Sequence, residues 1–394
     1  MFDVDAALRQ VIIAEGSDLH LKVPALPLAR VHGSLEPLPG DTTALTDEDT
    51  EGALHHMLKD AERLDEFKRE GEVDFSYAVE GLARFRVNAF RQRGSISLVC
   101  RAIPLAIRSI DDLKLPPVIR SLAEEERGIV LLTGTTGSGK STTLAAMVDH
   151  INQTRSKHIV TIEDPIEYLH RDRKSVINQR EVGMDTASFK RALRRVLRQD
   201  PDVILIGEMR DEETVQTALS AAETGHLVLS TVHTVDATES INRMLEFFPP
   251  HQHQQARAMI AGTLKGVVSQ RLIPSAQGGG RVAVCETLVM TGRVRDMIKD
   301  PQQTGRLHEV IQEGEYYGMQ TFDQALLGHL QAGRVSMEEA LRASSHPHDF
   351  KLLVAADGHT ATNMGDVAEV RGTGPDPVAA PTGGGPSVGP SVPV

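Results

Sequence analysis

Apolar and polar residues alternate along four stretches early in the chain: SDLHLKV, PLARVHGSLEPL, VDFSYAVEG and ARFRVNAFRQRGSISLVCRAI. A two-residue period is the mark of half-buried strands. Between them, DEDTEGALHHMLKDAERLDEFKRE carries helical spacing, with a helix-start signal at Thr46-Asp47. Residues 1–102 are therefore expected to form a small α+β domain. The stretch IPLAIRSIDDLKLPP, with Pro104, Pro116 and Pro117, reads as a linker over residues 103–118.

From about residue 119 the pattern changes. Continuous apolar runs (GIVLLTG, HIVTIED, DVILIGE, HLVLSTVHT) alternate with helical stretches, which predicts a parallel sheet with helices on both faces. After about Leu330 the chain turns helical again through MEEALRASSHPHDFKLLV, so this α/β domain is expected to span 119–354. Residues 355–394, ending VAAPTGGGPSVGPSVPV, are rich in Pro, Gly and small residues. They cannot bury enough apolar surface to offset the cost of ordering, and a disordered tail is predicted.

One of those strands runs directly into Gly134-Thr135-Thr136-Gly137-Ser138-Gly139-Lys140-Ser141 and then the helical stretch TTLAAMVDHIN. This is G-x-x-x-x-G-K-[ST] in the strand–loop–helix setting that the motif requires. Glycines let successive backbone N–H groups turn toward a phosphate, and the helix N-terminus adds partial positive charge. Thr136, Gly137, Ser138, Gly139, Lys140, Ser141 and Thr142 are the predicted nucleotide-binding residues. Lys140 would reach the β- and γ-phosphates, and the Ser141 hydroxyl would ligate Mg²⁺.

Two carboxylate sites follow at the ends of buried strands: Glu163, with Asp164 and Glu167 beside it, and Glu208, which closes VILIGE. In a parallel sheet the C-terminal strand ends form the ligand-binding edge. Gly207 stands where many P-loop enzymes place a Mg²⁺-binding aspartate, so Glu208 would act on the metal through water or help orient the nucleophile. Glu163 is taken as the base that positions the attacking water. The two roles are open to exchange. Asp164 and Glu167 read equally well as solvated turn residues.

His226 and His233 lie at opposite ends of the run LVLSTV. His233, after Ser-Thr at the ligand edge, is the better candidate for sensing a γ-phosphate. A histidine near a sheet edge is also commonly a satisfied core residue. Arginines cluster in three places: Arg84, Arg86 and Arg91; Arg191, Arg194, Arg195 and Arg198, spaced to share one helical face; and Arg210 in GEMRD. The second group reads as a solvated face or as an anion-facing one. A guanidinium brought to the γ-phosphate from outside the loop would couple hydrolysis to domain or subunit position.

Composition narrows the field. The chain has 394 residues, 40% hydrophobic and 24% charged, an ordinary globular balance. A net charge of −12, 4% aromatics and no Trp argue against a protein that coats nucleic acid, so no direct nucleic-acid partner is expected. Cys100 and Cys285 sit in apolar runs and read as small buried hydrophobes, with neither a disulfide framework nor a zinc site. No apolar run approaches the roughly 20 residues of a membrane span. Membrane contact is expected only through a partner.

These motifs resemble those of the secretion ATPases, and in particular of the type IV pilus retraction ATPases (PilT-like). The resemblance runs from SDLHLKV to HDFKLLV. It is carried by GTTGSGKSTT, VTIEDPIEYLH, RRVLRQDPDVILIGEMRDEETVQTALSAAETGHLVLSTVHT and EGEYYGMQTFDQAL. It implies a PAS-like N-terminal domain, a RecA-like P-loop ATPase domain with a helical C-terminal region, and a homohexamer that hydrolyses ATP with Mg²⁺. It also implies Glu163 as the catalytic glutamate, Glu208 as the Walker B glutamate, and Arg84, Arg86 and Arg91 as arginines closing on the nucleotide. His226 and His233 would be the two His-box histidines. The implied setting is the cytoplasm, at the inner face of the bacterial membrane. There the motor would act on an inner-membrane platform protein, with a paralogous pilus ATPase as a further partner. The segment TGRVRDMIKDPQQTGRLHEVI departs from the retraction motors' AIRAGG-like motif, which leaves an accessory paralogue as an alternative; an assembly or type II secretion ATPase is a further one.

Overall fold

A computed structural model describes residues 2–31, 33–38, 43–103, 106–278 and 280–356. The Pro/Gly-rich stretch 357–394 and residues 104–105 of the expected linker lie outside the described residues. Two sheets organise the chain. The first holds β1 (Gly16–Leu21), β2 (Leu28–Val31), β3 (Ser34–Pro37), β4 (Glu72–Val79), β5 (Ala83–Gln92) and β6 (Ser95–Ile103). All neighbours are antiparallel, in the order β3-β2-β1-β6-β5-β4. Alternation along β5 sends Phe85, Val87 and Ala89 inward, where they meet Leu8 and Val11 of the helix Val4–Ile13 and Leu54 of the helix Asp47–Met57.

The helical stretch between β3 and β4 is two helices rather than one, Asp47–Met57 and Ala61–Glu70. Thr46 caps the first as predicted, through a reciprocal capping box with Asp49. Asp60 caps the second by accepting from the backbone N–H groups of Glu62 and Arg63. A good N-cap in the middle of a helical pattern restarts the helix.

The second sheet holds β7 (Gly128–Thr133), β8 (His158–Glu163), β9 (Val176–Glu181), β10 (Val203–Ile206), β11 (Leu227–Val232), β12 (Leu264–Pro274) and β13 (Arg281–Val289). Its order is β13-β12-β7-β11-β10-β8-β9, parallel from β12 to β9, with β13 antiparallel at the edge. Both faces are covered, which is why these strands read as unbroken apolar runs. Ile129 and Leu131 of β7 face one helical layer, and Val130 and Leu132 face the other. Ile110 and Leu115, within the expected linker, are buried in that second layer, so this stretch is partly core rather than a bare tether.

The C-terminal region becomes helical earlier than the sequence pattern indicated. Helices Gly292–Lys299, Leu307–Glu313 and Phe322–Gln331 precede Met337–Ala343 and Pro347–Ala356. Phe322, Leu326 and Phe350 form a separate apolar cluster with Ile273 and Val284 of β12 and β13. Arg271 holds this cluster to the sheet, with its guanidinium 3.7 Å from the Phe322 ring centroid and a 2.7 Å hydrogen bond to the Ala343 carbonyl.

Cys100 and Cys285 are buried, and burial pushes both thiols up to about 12, as unreactive core residues require. Among the described residues no helix is long and apolar enough to cross a membrane. Replacing Thr46 with Ala removes the cap and should cost about 1 kcal/mol. Scanning fluorimetry should show a lower melting midpoint with ATP turnover per folded molecule unchanged.

Candidate active site

Parallel register brings the chemistry to one edge. Val232 of β11 pairs with Thr133 of β7, and Ile206 of β10 lies between Ser230 and Ile162. The residues that leave these strands, Gly134, Glu163, Gly207-Glu208 and His233, therefore emerge side by side. A cavity of about 360 Å³ opens there, and Lys140, Ser141, Glu163, Glu208, Arg210 and His233 are among its lining residues.

The loop wraps tightly. Gly134, Gly137 and Gly139 have φ of 142°, 80° and 91°. A Cβ on Gly134 would lie 2.4 Å from the Gln270 carbonyl and 2.5 Å from Ser138 Oγ, so only glycine fits. Gln270 of β12 fixes the loop from behind. Its Nε2 donates to the Ser138 carbonyl at 2.8 Å, and its Oε1 accepts from Thr143 Oγ1 at 2.8 Å. Thr136, Gly137, Gly139, Lys140, Ser141 and Thr142 line the cavity. Ser138, grouped with them from the sequence, turns inward instead, and its hydroxyl is buried without a partner.

Lys140 opens the helix Lys140–Thr154 and is 7% exposed. Its Nζ donates to the Gly134 and Thr135 carbonyls at 2.8 and 3.0 Å. Burial lowers its pKa, against the opposing charges of Glu208 and Glu167. The ammonium thus sits folded onto the loop in a place that phosphate oxygens can contest.

Glu163 is the more buried carboxylate of the site, and burial raises its pKa above the ordinary range. Hydrogen bonds to its Oε1 from Thr161 Oγ1 at 2.7 Å and Gln179 Nε2 at 3.2 Å limit the rise and fix its direction. Glu208 is shifted the other way. Burial alone would raise it, but Arg210 Nη2 at 2.8 Å, with His233 Nε2 at 3.6 Å, outweighs burial and holds it low. Two carboxylates on one edge are thus driven apart, one toward a proton-accepting role and one toward a fixed negative charge. Gly207 has a local reason. A Cβ there would come within 3.3 Å of the Ile162 carbonyl and 3.4 Å of Glu163 Cα, crowding the neighbouring carboxylate strand.

Not every predicted residue gathers here. His226 precedes β11 at the opposite edge of the sheet, and its Nδ1 lies 3.0 Å from the Ala221 carbonyl. It lies just past the end of the helix Glu212–Glu223 and is not among the residues that line this cavity. Arg84, Arg86 and Arg91 do not line the cavity of their own chain either. Arg84 is held by Glu181 at 3.0 Å, Arg86 faces Asp74 at 3.7 Å, and Arg91 lies over the Phe67 ring. The second arginine group divides. The helix Phe189–Val196 stops before Arg198, Arg194 pairs with Glu213, and Arg191 and Arg195 line a separate groove.

Several walls of the cavity were not singled out from the sequence. Tyr168 meets Thr142 Oγ1 at 2.8 Å, and Leu272 and Arg281 come from β12 and β13. His170, pushed down to about 4 by burial, is neutral. The Tyr168 and His170 positions lie within VTIEDPIEYLH, but nothing local marks Gln270, Leu272 or Arg281. Ser141 and Glu208, the residues expected from the sequence to hold Mg²⁺, both line the cavity. Among the described residues no group of three or more His, Cys, Asp or Glu could hold a metal.

Comparison with known proteins agrees with this geometry. Residues 83–342 match the family model described as Type II/IV secretion system protein. The chain is 43% identical over 334 residues to the type IV pilus retraction ATPase PilT of Pseudomonas aeruginosa, covering 85% of this chain and 96% of that protein. It is 39% identical over 355 residues to the type IV pilus ATPase PilU of the same organism, covering 89% and 91%. A crystal structure of the pilus retraction motor PilT with bound ADP superposes with a TM-score of 0.83 at 40% identity, covering 89% of this chain and 100% of that one. The chain belongs to the Type II/IV secretion system protein family, as a PilT-like P-loop ATPase.

Proposed function

We propose that this chain is a Mg²⁺-dependent ATPase motor that works as a homohexamer, powering type IV pilus retraction, and with it twitching motility and DNA uptake. It would act at the inner face of the cell membrane through an inner-membrane platform protein. The observation that carries the proposal is the convergence of Lys140, Glu163 and Glu208 on one cavity at the P-loop, in a chain so similar to a retraction ATPase along most of its length.

On this reading the backbone N–H groups of 136–141 and the Lys140 ammonium take the β- and γ-phosphates of ATP. Glu163 Oε accepts a proton from the attacking water, and its raised pKa makes it a better acceptor than an exposed carboxylate. Glu208 stays ionised, with Arg210 and His233 fixing its direction. Magnesium, held by Ser141 and through water by Glu208, would offset charge on the β- and γ-phosphates. Arg84, Arg86 and Arg91, none of which lines this chain's own cavity, would close on the nucleotide of a neighbouring copy in a ring. Similarity to PilU supports a second reading, an accessory motor alongside a retraction ATPase.

Deleting the gene and counting pili separates these directions. Surplus immobile pili support retraction, bald cells indicate assembly, and unchanged pilus number with weakened pulling force indicates the accessory role. In purified protein, Lys140→Ala should abolish binding of a fluorescent ATP analogue. Glu163→Gln should retain that binding while kcat falls at least about 100-fold. Since Glu163 acts only when deprotonated, kcat should fall as pH drops through its raised pKa. The acidic limb of the kcat profile should therefore lie above 4.5, the ordinary glutamate value. A limb at or below that value would remove Glu163 as the base.

A further inference from the structure

Glu181 ends β9 in register with Glu163 of β8 and is 4% exposed. The next backbone N–H, of Val182, donates to the Glu163 carbonyl at 2.8 Å. The Glu181 side chain touches neither the Glu163 carboxylate nor the cavity, yet both of its oxygens are taken. Oε1 accepts from Ser76 Oγ at 2.7 Å, and Oε2 accepts from Arg84 Nη2 at 3.0 Å and from the Ile166 backbone N–H at 3.2 Å. Ser76 and Arg84 belong to β4 and β5 of the first sheet. Ile166 lies in the segment that follows Glu163 and supplies Asp164, Glu167 and Tyr168 to the cavity.

A second strut runs alongside. Arg63 donates through Nη1 to the Asp74 carbonyl at 2.7 Å and through Nη2 to the Gly183 carbonyl at 2.8 Å. Gly183 has φ of 87°, and a Cβ there would lie 2.6 Å from Arg63 Nη2. The end of β9 and the turn after it are thus gripped by Ser76 and Arg84 of the first sheet and by Arg63 of the helix Ala61–Glu70. They are hydrogen-bonded in turn to the Glu163 carbonyl and, two peptides further on, to the Ile166 N–H. Burying a carboxylate is costly unless it is paired and hydrogen-bonded. An apolar residue would fill this seam at lower cost, but it could not hold the Ile166 N–H and the two β4–β5 donors at once.

We propose that Glu181 is a positioning residue for hydrolysis, aligning the Glu163 segment and carrying the placement of the first sheet into the rate of the chemical step. This rests on Glu163 being the base. Displacing a reacting group by about 1 Å can cost on the order of 10²-fold in rate while leaving ground-state binding intact. Removal of Glu181 should therefore split kcat from KM.

The test uses the full-length protein, with steady-state ATP turnover, affinity for a fluorescent ATP analogue and melting midpoint measured together. Glu181→Gln should lower kcat about 10-fold, with KM and analogue affinity within about twofold of the parent. Ser76→Ala leaves the buried ion pair intact and should lower kcat about threefold with KM unchanged. In the Glu181→Gln background it should have no further effect. Unchanged kcat in Glu181→Gln would overturn the proposal. So would a parallel loss of turnover and nucleotide affinity that follows the melting midpoint, which is the behaviour of a purely structural ion pair. If Glu181→Gln does not fold, Ser76→Ala alone decides, and full turnover in it refutes the link. Full turnover in Glu163→Gln would instead show that the base assignment has failed, and this inference with it.

Discussion

Parallel pairing makes neighbouring strands end together, and the rest of this molecule depends on that constraint. Four buried strands, β7, β8, β10 and β11, stop at one edge. They lead respectively into the P-loop, Glu163, Glu208 and His233, so four chemical roles meet where the strands end. Because both faces of the sheet are buried, a slip of one residue would exchange the side chains packed against the two helical layers, which close packing does not tolerate. A glycine-rich loop can then be strained against Gln270 without the site losing its alignment.

Electrostatics builds on that frame. Burial makes Glu163 a better proton acceptor, while Arg210 and His233 keep Glu208 charged. The difference comes from neighbours, since both are glutamates at the end of a strand or just beyond it. The Glu163 segment is also braced by Gln179 of the neighbouring β9 on its carboxylate and by the Glu181 network, which reaches the first sheet, on its backbone. The first sheet thus reaches the catalytic edge through hydrogen bonds and an ion pair.

Local chemistry was legible in the sequence. The P-loop lies between a strand and a helix because the apolar run, the glycines and the Lys-Ser pair are contiguous, and the carboxylates were found because they close apolar runs. Contacts over long sequence distances were not legible. Gln270 is recognisable as the back of the loop only once β12 is seen beside β7. Leu272 and Arg281 likewise reach the cavity through the β12–β13 pair. His226 and His233 do lie at opposite ends of β11, as their spacing indicated, and only His233 is at the cavity edge. The arginines of β5 are a different case. Alternation along β5 puts Arg84 and Arg86 on one face and Arg91 on the other, but what each meets is set by packing that the spacing does not encode. The divided helix after Thr46 shows a local signal, the Asp60 cap, hidden under a continuous helical period.

The central claim is that the backbone of residues 136–141 and the Lys140 ammonium hold a triphosphate where Glu163 can direct water at it. A crystal structure with a non-hydrolysable ATP analogue and Mg²⁺ tests this most directly. The expected result places the β- and γ-phosphates on those amides, with Lys140 Nζ moved from the Gly134 and Thr135 carbonyls onto phosphate oxygens and Glu163 facing the open side of the γ-phosphorus. Nucleotide bound elsewhere, or a bound phosphate chain with Lys140 still on its own loop, would contradict it.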